Sequence, residues 1–273
     1  MKDTLHNGDF LNLSKKLEDN SIDLAVCDPP YNLSKGGKWK WDKSKKLPGF
    51  GGEWNKVMQN WDDMSFAEYT EFTIAWLKEV KRVVKPEGSI WIHGTYHNIG
   101  IVNFVLQMLE TEIINEITWF KRNSFPNLSG RRLTASHETI LWAHTGNKER
   151  KYFFNYGYSK KFFDKSDLLK KENKQMRTVW DIPNNKKTIE TKYGKHPTQK
   201  PMRLIERMIK LSCPLNEGKV LLSPFCGSGT DVLTAKKLGL SFIAYEIDKT
   251  YFEITQKRLK GFSQLNIDYP LAS

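Results

Sequence analysis

At 273 residues, with 39% hydrophobic and 12% aromatic content, the chain can bury a single-domain core and is not a disordered polymer. No apolar run reaches the length of a membrane span and the opening MKDTLHNGDF has no apolar leader segment, so a cytoplasmic protein away from membranes is expected. The formal charge is +12, and it is concentrated: residues 148–195 hold 14 Lys/Arg against 6 Asp/Glu, and residues 33–62 hold 7 Lys against 3 acids, which leaves the rest of the chain neutral. A polyanionic partner is the direct reading, because each cation near a phosphate releases counterions. The three cysteines, Cys27, Cys213 and Cys226, are odd in number and lack metal-ligand spacing. They read as small buried thiols of a reduced compartment, with no metal site expected.

Along the chain, a short strand precedes Gly8–Asp9 and a helical pattern covers about 10–19. The apolar run Ile22–Cys27 reads as a buried parallel strand. Residues 33–62 then break the rhythm: Gly- and Lys-rich, with four tryptophans and no clean period. A helix over 66–84, a strand at Ser89–His93 and a helix over 97–109 follow, and Ile117–Phe120 and Thr139–Ala143 read as two further buried parallel strands. Residues 148–195 mix Lys with Tyr, Phe and Trp without a continuous strand pattern. The last third returns to alternation: helix 201–212, strand Val220–Leu222, helix 230–238, strand Phe242–Tyr245, helix 249–260. Strands alternating with helices give an α/β fold, a mostly parallel sheet covered on both faces, with ligands beyond the carboxyl ends of the strands. The whole of 1–273 reads as one domain carrying a basic insertion at 33–62 and candidate target-recognition segments at 124–136 and 148–195. Such long loops are usually functional or disordered, and interleaved aromatic and basic residues suit nucleic acid, while a small subdomain with its own aromatic core is an alternative for 148–195.

Two motifs carry chemistry. Phe225–Thr230 (FCGSGT) follows an apolar strand and opens a helix, where glycines let the backbone turn sharply and approach a ligand. Glu246 ends the next strand, placed to accept hydrogen bonds from ribose hydroxyls. The dinucleotide pattern G-x-G-x-x-G is missing, so an adenosine-containing ligand without pyrophosphate is expected. The second motif, Asp28-Pro29-Pro30-Tyr31, directly follows Ile22–Cys27. Two prolines fix φ and remove two N–H donors, leaving a rigid, acceptor-rich ledge between a carboxylate and an aromatic ring. Those parts suit an aromatic amine such as adenine N6: the Asp28 carboxylate and the Pro29 carbonyl accept its two hydrogens, and Tyr31 offers a stacking face.

DPPY ahead of FCGSGT resembles the amino-methyltransferases of DNA in the permuted β-group order. The likeness extends through Gly8-Asp9-Phe10, EITWFKR (116–122), HETILWA (137–143) and HPTQKP (196–201), and is shared with MboII-like methylases and the second methylase of DpnII-like restriction–modification systems. The resemblance implies a seven-stranded Rossmann-like methyltransferase fold opened between its second and third strands. It implies S-adenosylmethionine as cofactor, lined by Asp9, Phe10, Asp28, Phe225, Gly227, Ser228, Gly229, Thr230 and Glu246, with Thr198 and Lys200 at the methionine carboxylate. It implies site-specific transfer to adenine N6, with GATC as the first guess for the target. DNA is the partner, flipped or single-stranded at the target base. Lys38, Trp39, Trp41, Lys121, Arg122, Asn127, Arg131, Arg132 and His137 are its candidate contacts. A cognate restriction endonuclease and a homodimer are further expectations. N4-cytosine methylation and a non-catalytic nucleic-acid-binding relative stand as alternatives; the latter arises because Ser223 replaces the acid usual ahead of the Pro-Phe, with Asp28 or Asp231 as candidate substitutes.

Overall fold

The computed structural model describes residues 3–262 apart from 33–63, 125, 127–130, 147–148, 161–170, 172, 185–188, 195, 197 and 217. Lys38, Trp39, Trp41 and Asn127, and the insertion 33–62 as a whole, therefore lie outside the described residues. Eight strands form a single sheet: β1 (Thr4–Asn7), β2 (Ile22–Cys27), β3 (Val84–Gly94), β4 (Glu112–Phe120), β5 (His137–His144), β6 (Val179–Asp181), β7 (Val220–Ser223) and β8 (Ser241–Glu246). Their order across the sheet is β1-β8-β7-β2-β3-β5-β4-β6. Strands β1 and β8, at opposite ends of the chain, are parallel neighbours, which is where the permuted order opens the sheet.

Alternation along the strands divides the core in two. Leu24, Val26, Trp91, Ile140, Trp142, Leu221, Phe242 and Ala244 face one layer, filled by helices α5 (Met202–Ser212) and α6 (Thr230–Lys237). Ala25, Cys27, Ile90, Ile92, Leu141, Leu222 and Ile243 face the other, filled by α1 (Phe10–Leu13), α2 (Phe66–Val83) and α3 (Ile99–Met108). All six residues of β2 are buried, as a central strand covered on both faces requires. Among the described residues the remaining helices are α4 (Tyr156–Ser159) and α7 (Lys249–Lys260).

Three expectations change. Residues 10–19 form not one helix but α1 followed by a 3-10 turn, Ser14–Lys16. The strand expected at Thr139–Ala143 is buried, but β5 runs antiparallel to both β3 and β4. A buried apolar run looks the same in either direction, so periodicity alone could not tell the two apart. The sheet also has eight strands where the resemblance implies seven: β6 adds to the edge of β4 from within 148–195, a three-residue strand too short to give a period. Tyr152, Phe154 and Tyr158 of that stretch pack on the main core rather than on a core of their own.

Connections leave the centre in opposite directions. From β7 the chain passes through α6 to β8, while from β2 it passes through α2 to β3, and β7 and β2 are neighbours. The crevice at their carboxyl ends is the topological switch point of the sheet. The opposite end is tied by Asp23, whose carboxylate accepts from Lys85 Nζ (2.8 Å), Lys219 Nζ (3.0 Å) and the Val220 amide (3.0 Å), joining β2, β3 and β7. Burial works against this carboxylate, but the two lysines and the amide outweigh it and hold its pKa below the ordinary carboxylate value. Its contribution to stability is thus complete above the unfolded value of about 3.9 and is lost as pH falls through the lower folded value. Asp23→Ala is expected to lower unfolding free energy by about 1–3 kcal/mol at pH 7, with the difference from wild type narrowing in strong acid; denaturant titrations at several pH values measure both.

Candidate active site

The crevice collects the ends of several elements. After β2 comes the Asp28–Tyr31 ledge, with Pro29 buried behind it. Its outer wall is fixed by α2, whose Tyr69 hydroxyl donates to the Pro30 carbonyl (2.7 Å) and accepts from Asn98 Nδ2 (3.2 Å). Helix α2 begins where it does because Ser65 and Glu68 form a capping box, each side chain bonding the other's amide. Just before it, Asn32 in a left-handed conformation exchanges two 2.9 Å bonds with the Met64 main chain, tying the residue after the ledge to the start of α2.

Asp28 is fully engaged. Its Oδ1 accepts from the Tyr31 hydroxyl at 2.6 Å, and its Oδ2 accepts from Lys200 Nζ at 2.8 Å. Lys200 also donates to the Thr198 carbonyl (3.0 Å), lies 3.6 Å from Glu138 Oε2, and sits 5.2 Å from the centre of the Tyr31 ring. Glu138 accepts from Tyr31 Oη at 3.3 Å and from Lys121 Nζ at 2.9 Å. Only 5% of the Lys200 side chain is exposed, so its charge survives through partners. Burial opposes the ammonium, yet Asp28 and Glu138 raise its pKa above the ordinary lysine value. In turn burial opposes both carboxylates, while Lys200 acts on both and Lys121 on Glu138, keeping each below its ordinary value. Cys27 pairs with Ile92 across β2 and β3, so Asp28 and His93 follow side by side. His93 is fully buried and held down to about 4 by desolvation, and among the described residues neither ring nitrogen finds a hydrogen-bond partner.

On the other side of β7, the turn Ser223–Thr230 runs into α6 with Gly227 and Gly229 at φ +51° and +75°. A side chain at Gly229 would meet Thr255 of α7 at 2.4 Å, so closeness as well as backbone sign demands glycine there. Glu246, at the tip of β8, accepts from the Gly227 amide (2.7 Å) and the Asp248 amide (2.8 Å), and burial lifts its pKa to about 7. Asp231 accepts from the Ser223 hydroxyl and the Val232 amide (3.0 Å), and burial lifts its pKa to about 6. Ser223 is thus backed by a carboxylate supplied from α6. Ser228 donates to Gln199 Oε1 (3.0 Å), and its carbonyl accepts from the buried Arg258. His196 stacks edgewise on Tyr251 at 4.2 Å, and its Nδ1 faces the Thr198 amide and hydroxyl.

The sequence-predicted residues fall into groups. Asp28, Tyr31, Thr198, Lys200, Gly227, Ser228, Gly229, Thr230 and Glu246 lie around the crevice. Asp9 stands there too, at the N-cap of α1, bonded to the Leu11 amide (3.1 Å) and to Asn12 (2.9 Å). Phe10 is 2% exposed and its ring packs on Tyr245 and Phe225 in the core. Lys200, expected at a methionine carboxylate, is paired with Asp28 and Glu138. Lys121, expected on nucleic acid, is turned inward onto Glu138 with 12% of its side chain exposed. Arg122 forks onto Asp181 at 2.9 and 2.8 Å, Arg132 donates to Tyr96 (3.1 Å), and Arg131 and His137 are exposed at the mouth. Glu138, His93 and His196 are the site residues that sequence reasoning missed. A parallel β5 would have put Glu138 at the far end of the sheet; its reversal brings it to the crevice.

These parts fit S-adenosylmethionine. Asp28, Asp231 and Glu246 lie close enough to disfavour one another's charge, which a cationic sulfonium ligand relieves. Both Glu246 oxygens keep a lone pair free for hydroxyls. The family model for DNA methylases matches residues 22–257. Type II methyltransferase M2.DpnII of Streptococcus pneumoniae is 41% identical over 266 residues, spanning 96% of this chain and 91% of that protein. Type II methyltransferase M2.LlaDCHI of Lactococcus lactis subsp. cremoris is 40% identical over 257 residues, spanning 93% and 88%. Among solved structures, the M1.HpyAVI–SAM complex matches with a TM-score of 0.60 at 25% identity, over 93% of this chain and 98% of that one. The chain belongs to the N6/N4 DNA methylase family, and it is an S-adenosylmethionine-dependent DNA methyltransferase.

Proposed function

We propose that the protein methylates adenine at N6 in DNA, with Asp28 and the Pro29 carbonyl as the acceptors for the amine and with a restriction–modification system as its setting. The observation that carries this reading is the Asp28–Tyr31 ledge at the switch point, next to a turn and an acid suited to an adenosine ligand. The adenine N6 lone pair is delocalised into the ring and is a poor nucleophile. Two acceptors on its hydrogens favour a more tetrahedral nitrogen with the lone pair aimed away from the ledge. When bound, S-adenosylmethionine supplies an electrophilic methyl on sulfonium and departs as a neutral thioether. Asp28 then faces a cationic amine that sheds its extra proton readily, so the carboxylate acts by position and charge and need not be a strong base. Glu246 and Asp9 are the candidates for the nucleoside end of the cofactor, Gly227 to Thr230 for the backbone around it, and Asp231 for its cationic end. Arg131, Arg132 and His137 face the mouth as candidates for DNA, and the names Type II methyltransferase M2.DpnII and M2.LlaDCHI support a restriction–modification role.

Purified protein with radiolabelled S-adenosylmethionine is expected to label genomic DNA from a methylation-free host, with the label found on adenine after digestion to nucleosides, and Asp28→Ala to reduce that labelling to background; the variant strips a partner from the buried Lys200 and so melts at a lower temperature, and its labelling is measured below that temperature. Label only on cytosine, or substantial turnover by the variant, overturns the assignment. Cofactor binding should also respond to pH. Ribose hydroxyls donate to an ionised Glu246, whose free carboxyl titrates at about 7, so affinity is expected to weaken as pH falls below 7, by at most tenfold per unit. Calorimetry of wild type and Glu246→Gln between pH 6.5 and 8, above the value of about 6 for Asp231, tests this: the variant binds more weakly at pH 8 and loses most of the dependence over that range.

A further inference from the structure

On the sheet face that carries Val26, Trp91, Ile140 and Trp119, the next positions outward on the same four strands are Asp28, His93, Glu138 and Lys121. On each of these strands the apolar face gives way to a polar or charged residue within one step of the strand period, staggered across the sheet so that Ile140 is level with His93 and Trp119 with Glu138. Across these strand ends the charges alternate: Lys121 on Glu138, Glu138 near Lys200, Lys200 on Asp28. Resting on the reading of Asp28 as the acceptor for the amine, we propose that Glu138 is a positioning residue for methyl transfer, acting through Tyr31 and Lys200 on the two oxygens of Asp28.

The case is geometric. The two groups bonded to Asp28 are a hydroxyl and an ammonium, and Glu138 Oε2 lies 3.3 Å from the first and 3.6 Å from the second. Both donors also sit on Asp28, so Glu138 competes for each of them and weakens their hold on the acceptor oxygens that a substrate amine must use. A hydroxyl has one proton to give, and the two carboxylates share one tyrosine. An ammonium has three: Lys200 donates to Asp28 and to the Thr198 carbonyl, and meets Glu138 as an ion pair at 3.6 Å. Lys121 matters in the same way from outside: it occupies the other oxygen of Glu138 and so orients Oε2 inward. Glu138 sits at the start of β5, a paired strand between β3 and β4, a mount rigid enough to set a geometry rather than follow it. Without the Glu138 charge, Lys200 and Tyr31 fall fully to Asp28, which then has to be pried open for each substrate.

The test uses the full chain, steady-state kinetics on an adenine-containing duplex, and four variants: Glu138→Gln, Glu138→Asp, Tyr31→Phe and the double variant E138Q/Y31F. Glu138→Gln is expected to lower kcat by about tenfold while KM for S-adenosylmethionine and for DNA each move by less than about threefold. Glu138→Asp, which keeps the charge on a shorter arm, is expected to recover part of that loss, and it replaces Glu138→Gln as the probe should the amide fail to fold. In the Tyr31→Phe background the same change at Glu138 should cost distinctly less, because half of its route to Asp28 is already gone. An unchanged kcat, an aspartate no better than the amide, or losses that simply multiply in the double variant overturns the inference while wild-type activity stands. A wild type that transfers no methyl to DNA overturns the functional reading itself, and the inference with it.

Discussion

One buried ion pair organises this molecule's chemistry. Lys200 lies almost out of contact with solvent, and a lone ammonium there would cost several kcal/mol to desolvate. It stays charged because Asp28 and Glu138 stand against it, and they stay ionised because Lys200 and Lys121 stand against them. The four charges sum to zero. Each is held by at least one neighbour of opposite sign, so none can move without disturbing the next. The site is therefore set as a unit, and the rigidity needed to aim an amine comes from mutual neutralisation rather than from apolar packing alone.

The second half of the crevice has the opposite electrostatic character. Asp231 and Glu246 are buried carboxyls whose hydrogen bonds come from amides and a serine rather than from cations, and both titrate well above their usual range. A neutralised end and an unneutralised end lie on the two sides of the β7–β2 switch point. On the proposed reading, a cationic methyl donor takes the unneutralised end and a neutral aromatic amine the other. That division of charge gives the crevice a direction, from sulfonium to amine, before any ligand enters. It also gives Ser223 a physical account: its hydroxyl bonds Asp231, so the negative charge expected ahead of the glycine turn is delivered from the first turn of α6.

Much of this was legible in the residues. The central strands are continuous apolar runs because both faces are covered, and FCGSGT and DPPY declare themselves because few residue types can make a left-handed glycine turn or a donor-free ledge. The adenosine-type ligand followed from an acid one strand beyond that turn. The fold class held with one short strand added, the parallel reading of Thr139–Ala143 did not, and Lys121 and Lys200 turned out to pair with internal carboxylates. A basic residue near a strand end looks the same in sequence whether it faces solvent or an internal carboxylate.

By itself, then, the sequence determined the longer buried strands, the order of the two motifs along the chain, and the concentration of positive charge in two segments, since these depend on local period, backbone restriction and composition. Only the tertiary structure decided which strand ran backwards, and that single reversal decided the rest. Strand direction is fixed by pairing with residues distant in the chain, namely β3 and β4, and carries no local signature. With β5 antiparallel, Glu138 meets Lys121, Lys200 and Tyr31 at the carboxyl end of β2, and a charged residue in an apolar strand becomes part of the site.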